Sequence, residues 1–214
     1  MGQFKRLLFD VSGTLWDDTK QVFLANYNIL TRHGYKNLPE TDIPITPENL
    51  KKYAKFGSCI EAFRYFGIKG TERDLYNCYM ESLDEVAHIN PPKLYDGIYN
   101  LLNSINGNAK KVIISAHPQH RLEEDLEKLG LYNKFSKIIG NCNYKKDTIK
   151  KFVNSKPTYY IGDSVSDIIA AREAGAIPVA VGYGYENPLV LRQHKPAHIL
   201  ATPYTLEEYL KMRI

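Results

Sequence analysis

Residues 4–14 read Phe-Lys-Arg-Leu-Leu-Phe-Asp-Val-Ser-Gly-Thr, and this stretch points to the fold of the chain. Its first part is short and mostly apolar, which is typical of a parallel strand that is buried on both faces. The predicted strand ends at Asp10, and Gly13 follows in the next turn. An acidic residue near a glycine at the end of a buried strand lies where open α/β sheets bind their ligands.

The rest of the chain shows two patterns. Between residues 17 and 90 apolar residues recur at helical spacing, which predicts a small all-helical module. After Pro91 strand-like and helical runs alternate, as in right-handed βαβ units on a parallel sheet. The predicted strands there are 111–115, 137–139, 158–161 and 177–181. The predicted helices are 95–105, 120–129, 147–153 and 166–174.

We therefore predict an α/β fold, a doubly wound, Rossmann-like parallel sheet with an inserted all-helical cap. The core domain is expected to comprise residues 1–16 and 91–214, and the cap residues 17–90. Because the first strand belongs to the same sheet as the later ones, the cap is an insertion after strand one.

Composition excludes several classes of protein. The chain has 214 residues and a net charge of +4, with Lys and Arg spread along its length, so we expect no nucleic-acid surface. It contains no run of apolar residues long enough to span a membrane, and its first residues lack a signal-peptide layout. Its three cysteines show no metal-ligand spacing and predict reduced thiols in a cytoplasmic protein, as a monomer or a homodimer.

Polar residues collect at the ends of three predicted strands: Asp10 with Ser12, then Ser115, then Asp163 with Asp167. Lys145 and Lys146 lie just before the predicted helix between the last two sets. The carboxyl ends of parallel strands face one crevice, so these groups are expected to converge. Carboxylates suit a magnesium ion, and an ammonium and a hydroxyl can neutralise phosphoryl oxygens.

Four segments resemble, in order, the four motifs of the haloacid dehalogenase-like superfamily of phosphatases and phosphotransferases. Residues 10–14 are similar to Asp-x-Asp-Gly-Thr, and residues 113–115 to a buried strand that ends in Ser or Thr. Lys145 or Lys146 matches the third motif, and residues 162–167, Gly-Asp-Ser-Val-Ser-Asp, match Gly-Asp-x-x-x-Asp. The resemblance covers essentially the whole chain and is closest to the phosphoglycolate phosphatase-like subgroup with a helical cap.

The resemblance implies a role for each matching residue. Asp10 would be the nucleophile and form an aspartyl-phosphate. The magnesium (Mg2+) would be held by Asp10, Asp163 and the backbone carbonyl of Ser12, with Asp167 supporting the metal shell. The phosphoryl group would be bound by Ser115, Ala116 and the lysine of the third motif. Lys145 is favoured for that lysine because Ile149 then follows at helical spacing, but Lys146 remains the alternative.

Ser12 departs from the family pattern, because the phosphatases carry a second aspartate there that protonates the leaving group and later activates water. Serine cannot do this at neutral pH, and such proton transfer contributes roughly 10²–10⁴ in rate. We therefore expect slow hydrolysis, with phosphorylation of Asp10 and magnesium binding intact. His117 and His120 follow Ser115 and are interpreted as a loop and a helix-start residue rather than as substitutes.

Three functions remain open at this point. The first is a phosphatase for a small phosphorylated metabolite, with Gly57 in a cap loop that a substrate can approach closely. The second is cleavage of a C–P bond as in phosphonoacetaldehyde hydrolase, with Lys51, Lys52 or Lys55 as the Schiff-base lysine. The third is a catalytically weak phosphate-binding regulatory protein.

Overall fold

The structure, a computed structural model, describes residues 5–53, 59–105, 107, 109–142 and 144–214, without the side chains of residues 51–53 and 59. The chain forms two compact units. The first unit comprises Met1–Asp17 and Lys93–Ile214, and the second comprises Asp18–Pro92.

The elements are numbered along the chain. The strands are β1 (Lys5–Phe9), β2 (Trp16–Asp17), β3 (Lys93–Leu94), β4 (Ala109–Ile114), β5 (Lys137–Ile139), β6 (Thr158–Gly162), β7 (Ile177–Val181) and β8 (His198–Leu200). The helices of the second unit are α1 (Thr19–Arg32), α2 (Pro47–Tyr53), α3 (Cys59–Tyr65) and α4 (Glu72–Ala87). The helices of the first unit are α5 (Ile98–Ser104), α6 (Gln119–Lys128), α7 (Lys145–Lys150), α8 (Val165–Ala174), α9 (Pro188–Gln193) and α10 (Pro203–Lys211).

Six strands of the first unit form one sheet in the order β5-β4-β1-β6-β7-β8, and every neighbouring pair is parallel. Side chains of β1 alternate between its two faces. Leu7 and Phe9 belong to a core cluster with residues of α5, α6 and α10, whereas Leu8 packs in a second cluster with residues of α7 and α8. Helices therefore cover both faces of the sheet, as a fully parallel sheet requires.

The second unit is built around α1 and α4. Its larger core cluster includes Ile29 and Leu30 of α1, Phe63 of α3 and Leu75 of α4. The α4 helix begins with a capping box, in which the Thr71 side chain accepts a hydrogen bond from the Asp74 N–H and the Asp74 carboxylate bonds back to Thr71. The described residues of the second unit form helices and one isolated β-bridge, between Asn37 and Pro44.

The predicted fold class, a doubly wound parallel sheet with a helical insertion, is confirmed. Two details are wrong. Residues 177–181 are the last strand in the prediction, but the structure has a further strand, β8, which pairs with β7 at the sheet edge. The sequence carries no signal for β8 because this strand has only three residues and begins with the exposed His198. Lys145 and Lys146 do not precede a helix but are its first two residues. Among the described residues, no helix is both long and apolar enough to cross a membrane.

Candidate active site

Parallel pairing places the ends of β4, β1 and β6 side by side. Asp10 directly follows β1, and its N–H donates to the Ile161 carbonyl of β6 at 2.8 Å. Asp163 directly follows β6, and Ser115 directly follows β4. Three of the predicted site positions therefore share one edge of the sheet, where open α/β folds bind their ligands.

A tight turn carries the chain away from Asp10. The Val11 carbonyl accepts hydrogen bonds from the N–H groups of Thr14 at 3.0 Å and Leu15 at 2.7 Å. Gly13 has a φ of +72°, which favours glycine, and a Cβ there would lie 2.1 Å from Asp163 Oδ2. Glycine is required at this position by backbone conformation and by the close approach of the Asp163 carboxylate.

Four charged side chains meet at this edge and are called here the carboxylate site: Asp10, Lys145, Asp163 and Asp167. Lys145 Nζ lies 2.8 Å from Asp10 Oδ2 and 2.7 Å from Asp167 Oδ1. Asp10, Asp163 and Asp167 are all buried, and each offers a carboxylate oxygen within 4.8 Å of the others. Lys146 instead pairs with Glu173 at 3.0 Å, and both of those side chains are half exposed.

The first turn of α8 fixes Asp167. Asp167 Oδ2 accepts hydrogen bonds from the Ser164 N–H at 3.2 Å and the Ser164 hydroxyl at 2.7 Å, while the Asp167 N–H donates to Ser164 Oγ. A Cβ on Gly162 would lie 2.5 Å from Asp167 Oδ2, so the strand passes directly under this carboxylate. One Asp167 oxygen therefore caps the helix and the other holds Lys145.

Burial is the largest influence on the pKa values of the carboxylate site, and the charges within the site modify it. Burial raises the pKa of Asp10 to about 6, with Lys145 opposing the shift and Asp167 adding to it. Burial, followed by the charges of Asp167 and Asp10, raises the pKa of Asp163 well above its usual range. Burial alone would lower the pKa of Lys145, but Asp10 and Asp167 outweigh it and raise that pKa well above its usual range.

These residues fit a divalent cation. Three buried carboxylates face one ammonium, which leaves two negative charges in excess when all four groups are ionised. Hard oxygen ligands are what Mg²⁺ prefers, and two or three carboxylates are enough because the ion keeps several waters. The raised pKa values of Asp10 and Asp163 are the expected sign of buried carboxylates, with neighbouring carboxylates adding to the effect of burial.

Of the other predicted site residues, Ser12, Ser115 and Ala116 lie in the segments that follow β1 and β4. Ser115 is buried, and its Oγ accepts the His117 N–H at 3.2 Å, so the hydroxyl hydrogen can be directed to a ligand. Ala116 is exposed and Ser12 is partly buried. Gly57 and Lys55 lie outside the described residues, and the side chains of Lys51 and Lys52 are also outside them.

His117 belongs to a second buried group, called here the α6 cluster, which consists of His117, Arg121 and Asp125. His117 Nε2 lies 3.7 Å from Asp125 Oδ2, and the imidazole packs edge-on against the Trp16 ring with 6.0 Å between centroids. Arg121 Nη2 lies 3.9 Å from Asp125 Oδ1. His120 is exposed at the start of α6.

Two tyrosines that support the carboxylate site were not given roles by sequence. The Tyr160 ring lies 5.8 Å from Lys145 Nζ, and its hydroxyl donates to the Ile114 carbonyl at 3.0 Å. The Tyr183 hydroxyl donates to the Thr14 carbonyl at 2.9 Å. The sequence carried one signal for Tyr183, since glycines flank it directly after a strand.

Comparison with known proteins agrees with this arrangement. Residues 7–181 match the family described as haloacid dehalogenase-like hydrolase. The chain belongs to the haloacid dehalogenase-like hydrolases. The predicted assignment to a hydrolase of this superfamily is therefore confirmed.

Individual relatives are distant but cover nearly the full length. A 5'-nucleotidase from Pseudomonas aeruginosa is 22% identical over 222 residues, covering 98% of this chain and 96% of the relative. A phosphoglycolate phosphatase from Chromobacterium violaceum is 28% identical over 223 residues, covering 94% and 96%. The solved structure of a haloacid dehalogenase-like family hydrolase from Streptococcus pneumoniae has a TM-score of 0.78 at 18% identity, covering 97% of this chain and 98% of that one.

Proposed function

We propose that this hydrolase is a magnesium-dependent phosphatase that acts on a small phosphorylated metabolite through an aspartyl-phosphate at Asp10. One observation carries the proposal: the Lys145 ammonium lies between Asp10 and Asp167, with Asp163 beside them, at the carboxyl edge of the sheet. A nucleophilic carboxylate, a cation site and a phosphate-binding ammonium are thereby close enough to act on one phosphoryl group.

The magnesium ion would be held by Asp10, Asp163 and the backbone carbonyl of Ser12. When bound, it supplies positive charge to the phosphoryl oxygens and keeps the carboxylates ionised. Asp167 supports the site indirectly, because both of its oxygens already bind Ser164 or Lys145. Its role is to hold the Lys145 ammonium in place.

The first half-reaction is attack by an Asp10 carboxylate oxygen on phosphorus. A bond forms between that oxygen and phosphorus while the bond from phosphorus to the leaving-group oxygen breaks, and the leaving oxygen takes a proton from solvent water. Asp10 must be ionised to attack, and with a pKa raised to about 6 it is ionised at neutral pH. Lys145 and the hydroxyl of Ser115 bind the phosphoryl oxygens, and the exposed peptide of Ala116 can add a backbone N–H.

The second half-reaction is attack by water on the aspartyl-phosphate, which returns Asp10 and releases phosphate. Both steps need a group that moves a proton, and Ser12 stands where the family's phosphatases carry an aspartate. A hydroxyl cannot fill this role at neutral pH, so we infer slow turnover and a long-lived phospho-enzyme. His117 is not a suitable replacement, because its imidazole packs against Trp16 and faces Asp125.

The substrate is inferred only as a class. The two curated relatives described above act, by their names, on different phosphate esters, a nucleotide and phosphoglycolate. We propose that the helical unit selects among such esters, and Gly57 remains a predicted substrate-binding residue. A cytoplasmic monomer or homodimer stays a prediction from composition.

The test is a panel of phosphorylated metabolites and one aryl phosphate, each assayed with and without magnesium. Phosphate release from the aryl phosphate should require magnesium and fall by at least about 10³-fold in Asp10→Asn, since the nucleophile is lost. A matched pair locates the phosphate-binding lysine: Lys145→Gln should weaken inhibition by vanadate, whereas Lys146→Gln should not. Full activity in Asp10→Asn would show that the nucleophile lies elsewhere.

A further inference from the structure

The segment that follows β7 runs between two parts of the proposed magnesium site. A Cβ on Gly184 would lie 2.3 Å from Asp163 Cβ and 2.4 Å from the Gly13 carbonyl oxygen, so the backbone passes directly beside both. The next residue, Tyr185, donates its N–H to Asp163 Oδ2 at 2.7 Å. This hydrogen bond fixes the rotation of the Asp163 carboxylate.

Tyr183 ties the same segment to the turn after Asp10. Its hydroxyl donates to the Thr14 carbonyl at 2.9 Å, across 169 positions of sequence, and its ring packs edge-on against Tyr95 with 5.0 Å between centroids. Burial raises the pKa of the Tyr183 phenol, so the group is neutral and remains a donor throughout the physiological range. The turn that it holds includes Ser12, whose carbonyl is a proposed magnesium ligand, and Gly13, which contacts Asp163.

We propose that Tyr183 is a positioning residue for magnesium, which holds the turn of residues 12–14 at a fixed distance from Asp163. Residues 183–185 contact both proposed sources of metal ligands through one continuous backbone. If the hydroxyl is removed, the turn loses this side-chain tie to the segment and the ligand set loosens. This inference rests on the proposed function, because it concerns the same metal.

The experiment measures magnesium binding by isothermal titration calorimetry without substrate, in wild type, Tyr183→Phe and Tyr209→Phe. Tyr183→Phe keeps the ring contact and removes only the hydroxyl, so we expect an about 5- to 30-fold weaker magnesium affinity. Tyr209 is a buried tyrosine of α10 that packs against Tyr159 and His198, and Tyr209→Phe should bind magnesium as wild type does.

Thermal unfolding without magnesium separates positioning from general stability. Tyr183→Phe should melt close to Tyr209→Phe in the metal-free state and show a smaller rise in melting temperature when magnesium is added. Magnesium affinity within about twofold of wild type in Tyr183→Phe would overturn this inference alone. If wild type itself bound no magnesium, the proposed function would fall and this inference with it.

Discussion

Two buried groups of charged side chains lie beside the same sheet, and their contacts differ. In the carboxylate site the Lys145 ammonium makes ion pairs of 2.7 and 2.8 Å. In the α6 cluster the shortest distances from Asp125 to His117 and Arg121 are 3.7 and 3.9 Å, although the side chains of all three residues are also buried. Arg121 makes its shorter ion pair, of 3.0 Å, with the partly exposed Glu124. Burial and the presence of titratable residues therefore do not distinguish the two groups.

Charge balance does distinguish them. The carboxylate site has three carboxylates against one ammonium, and burial raises the pKa of Asp10 and Asp163. In the α6 cluster one buried carboxylate faces a guanidinium and an imidazole. Unbalanced buried charge is costly for folding, and it is useful where a site must attract a cation and a phosphate. The comparison suggests that the carboxylate site serves chemistry and the α6 cluster serves the fold.

The largest expected effect is on turnover and comes from adding a carboxylate beside the carboxylate site. Ser12→Asp supplies the missing acid–base residue and should raise turnover by up to about 10²–10⁴-fold. Alkyl phosphates should gain more than aryl phosphates, because their leaving groups need a proton. Added negative charge near Asp10 will raise the pKa of that residue further and offset part of the gain. Steady-state assays on both substrate classes measure the effect.

A second readout is the phospho-enzyme itself. Wild type should accumulate an acid-stable signal at Asp10 with a good phosphoryl donor, and Ser12→Asp should shorten its lifetime. Ser12→Asn, which has a similar shape without the acid, is the matched control and should leave turnover slow. If Ser12→Asp gave no gain on either class, with magnesium still bound, another residue would supply the proton.

The next effect compares one aspartate from each group. Asp163→Asn removes a proposed ligand charge and should weaken magnesium affinity by about 100-fold, as measured by calorimetry. Asp125→Asn should leave magnesium affinity within about twofold of wild type. Its effect should be on folding instead, with a loss of about 1–3 kcal/mol in the free energy of unfolding by urea, because the buried Arg121 guanidinium loses the negative charge that faces it.

An effect of Asp125→Asn on magnesium binding would contradict the division of roles between the carboxylate site and the α6 cluster. If Asp125→Asn weakened magnesium binding as much as Asp163→Asn did, the α6 cluster would be part of the functional site. Because the two substitutions are chemically identical and both positions are nearly fully buried, differences in their effects report on the surroundings rather than on the side chain.

Sequence could predict the carboxylate site because its main residues follow strands. Asp10 and Asp163 of this site, and Ser115 beside it, each come directly after an apolar run, and parallel pairing brings such positions to one edge whatever the details of packing. The end of the predicted helix 166–174 depends equally on local sequence, since Gly175 follows it, has a φ of +82° and caps α8. These features depend on neighbours in sequence.

Other features depend on distant residues and could not be predicted. Lys145 and Lys146 are adjacent and of the same residue type, so the sequence does not distinguish them. The structure does, because Lys145 pairs with Asp167 and Lys146 pairs with Glu173. Tyr183 acts on a carbonyl 169 positions away, so its contact leaves no local pattern. The edge strand β8 was missed because three residues with an exposed histidine carry too little apolar periodicity.

The smallest expected effect is a pH dependence of stability that arises from Asp10 in the carboxylate site. The pKa of Asp10 is about 6 in the folded state and 3.8 as the ordinary value, so between these pH values the folded protein holds more protons than the unfolded chain. The free energy of unfolding should therefore fall as pH rises from about 4 to about 6 and stay lower above that. Asp10→Asn cannot ionise at this position, so the free energy of unfolding of its magnesium-free form should fall by about 2 kcal/mol less than that of wild type across this range in urea titrations.

Magnesium should restore the free energy of unfolding of wild type at pH 7.5, since the ion favours the ionised carboxylate. It should restore that of Asp10→Asn much less. Parallel pH profiles for the two metal-free proteins would mean that burial does not raise the pKa of Asp10. The contrast between the carboxylate site and the α6 cluster would then need a different cause.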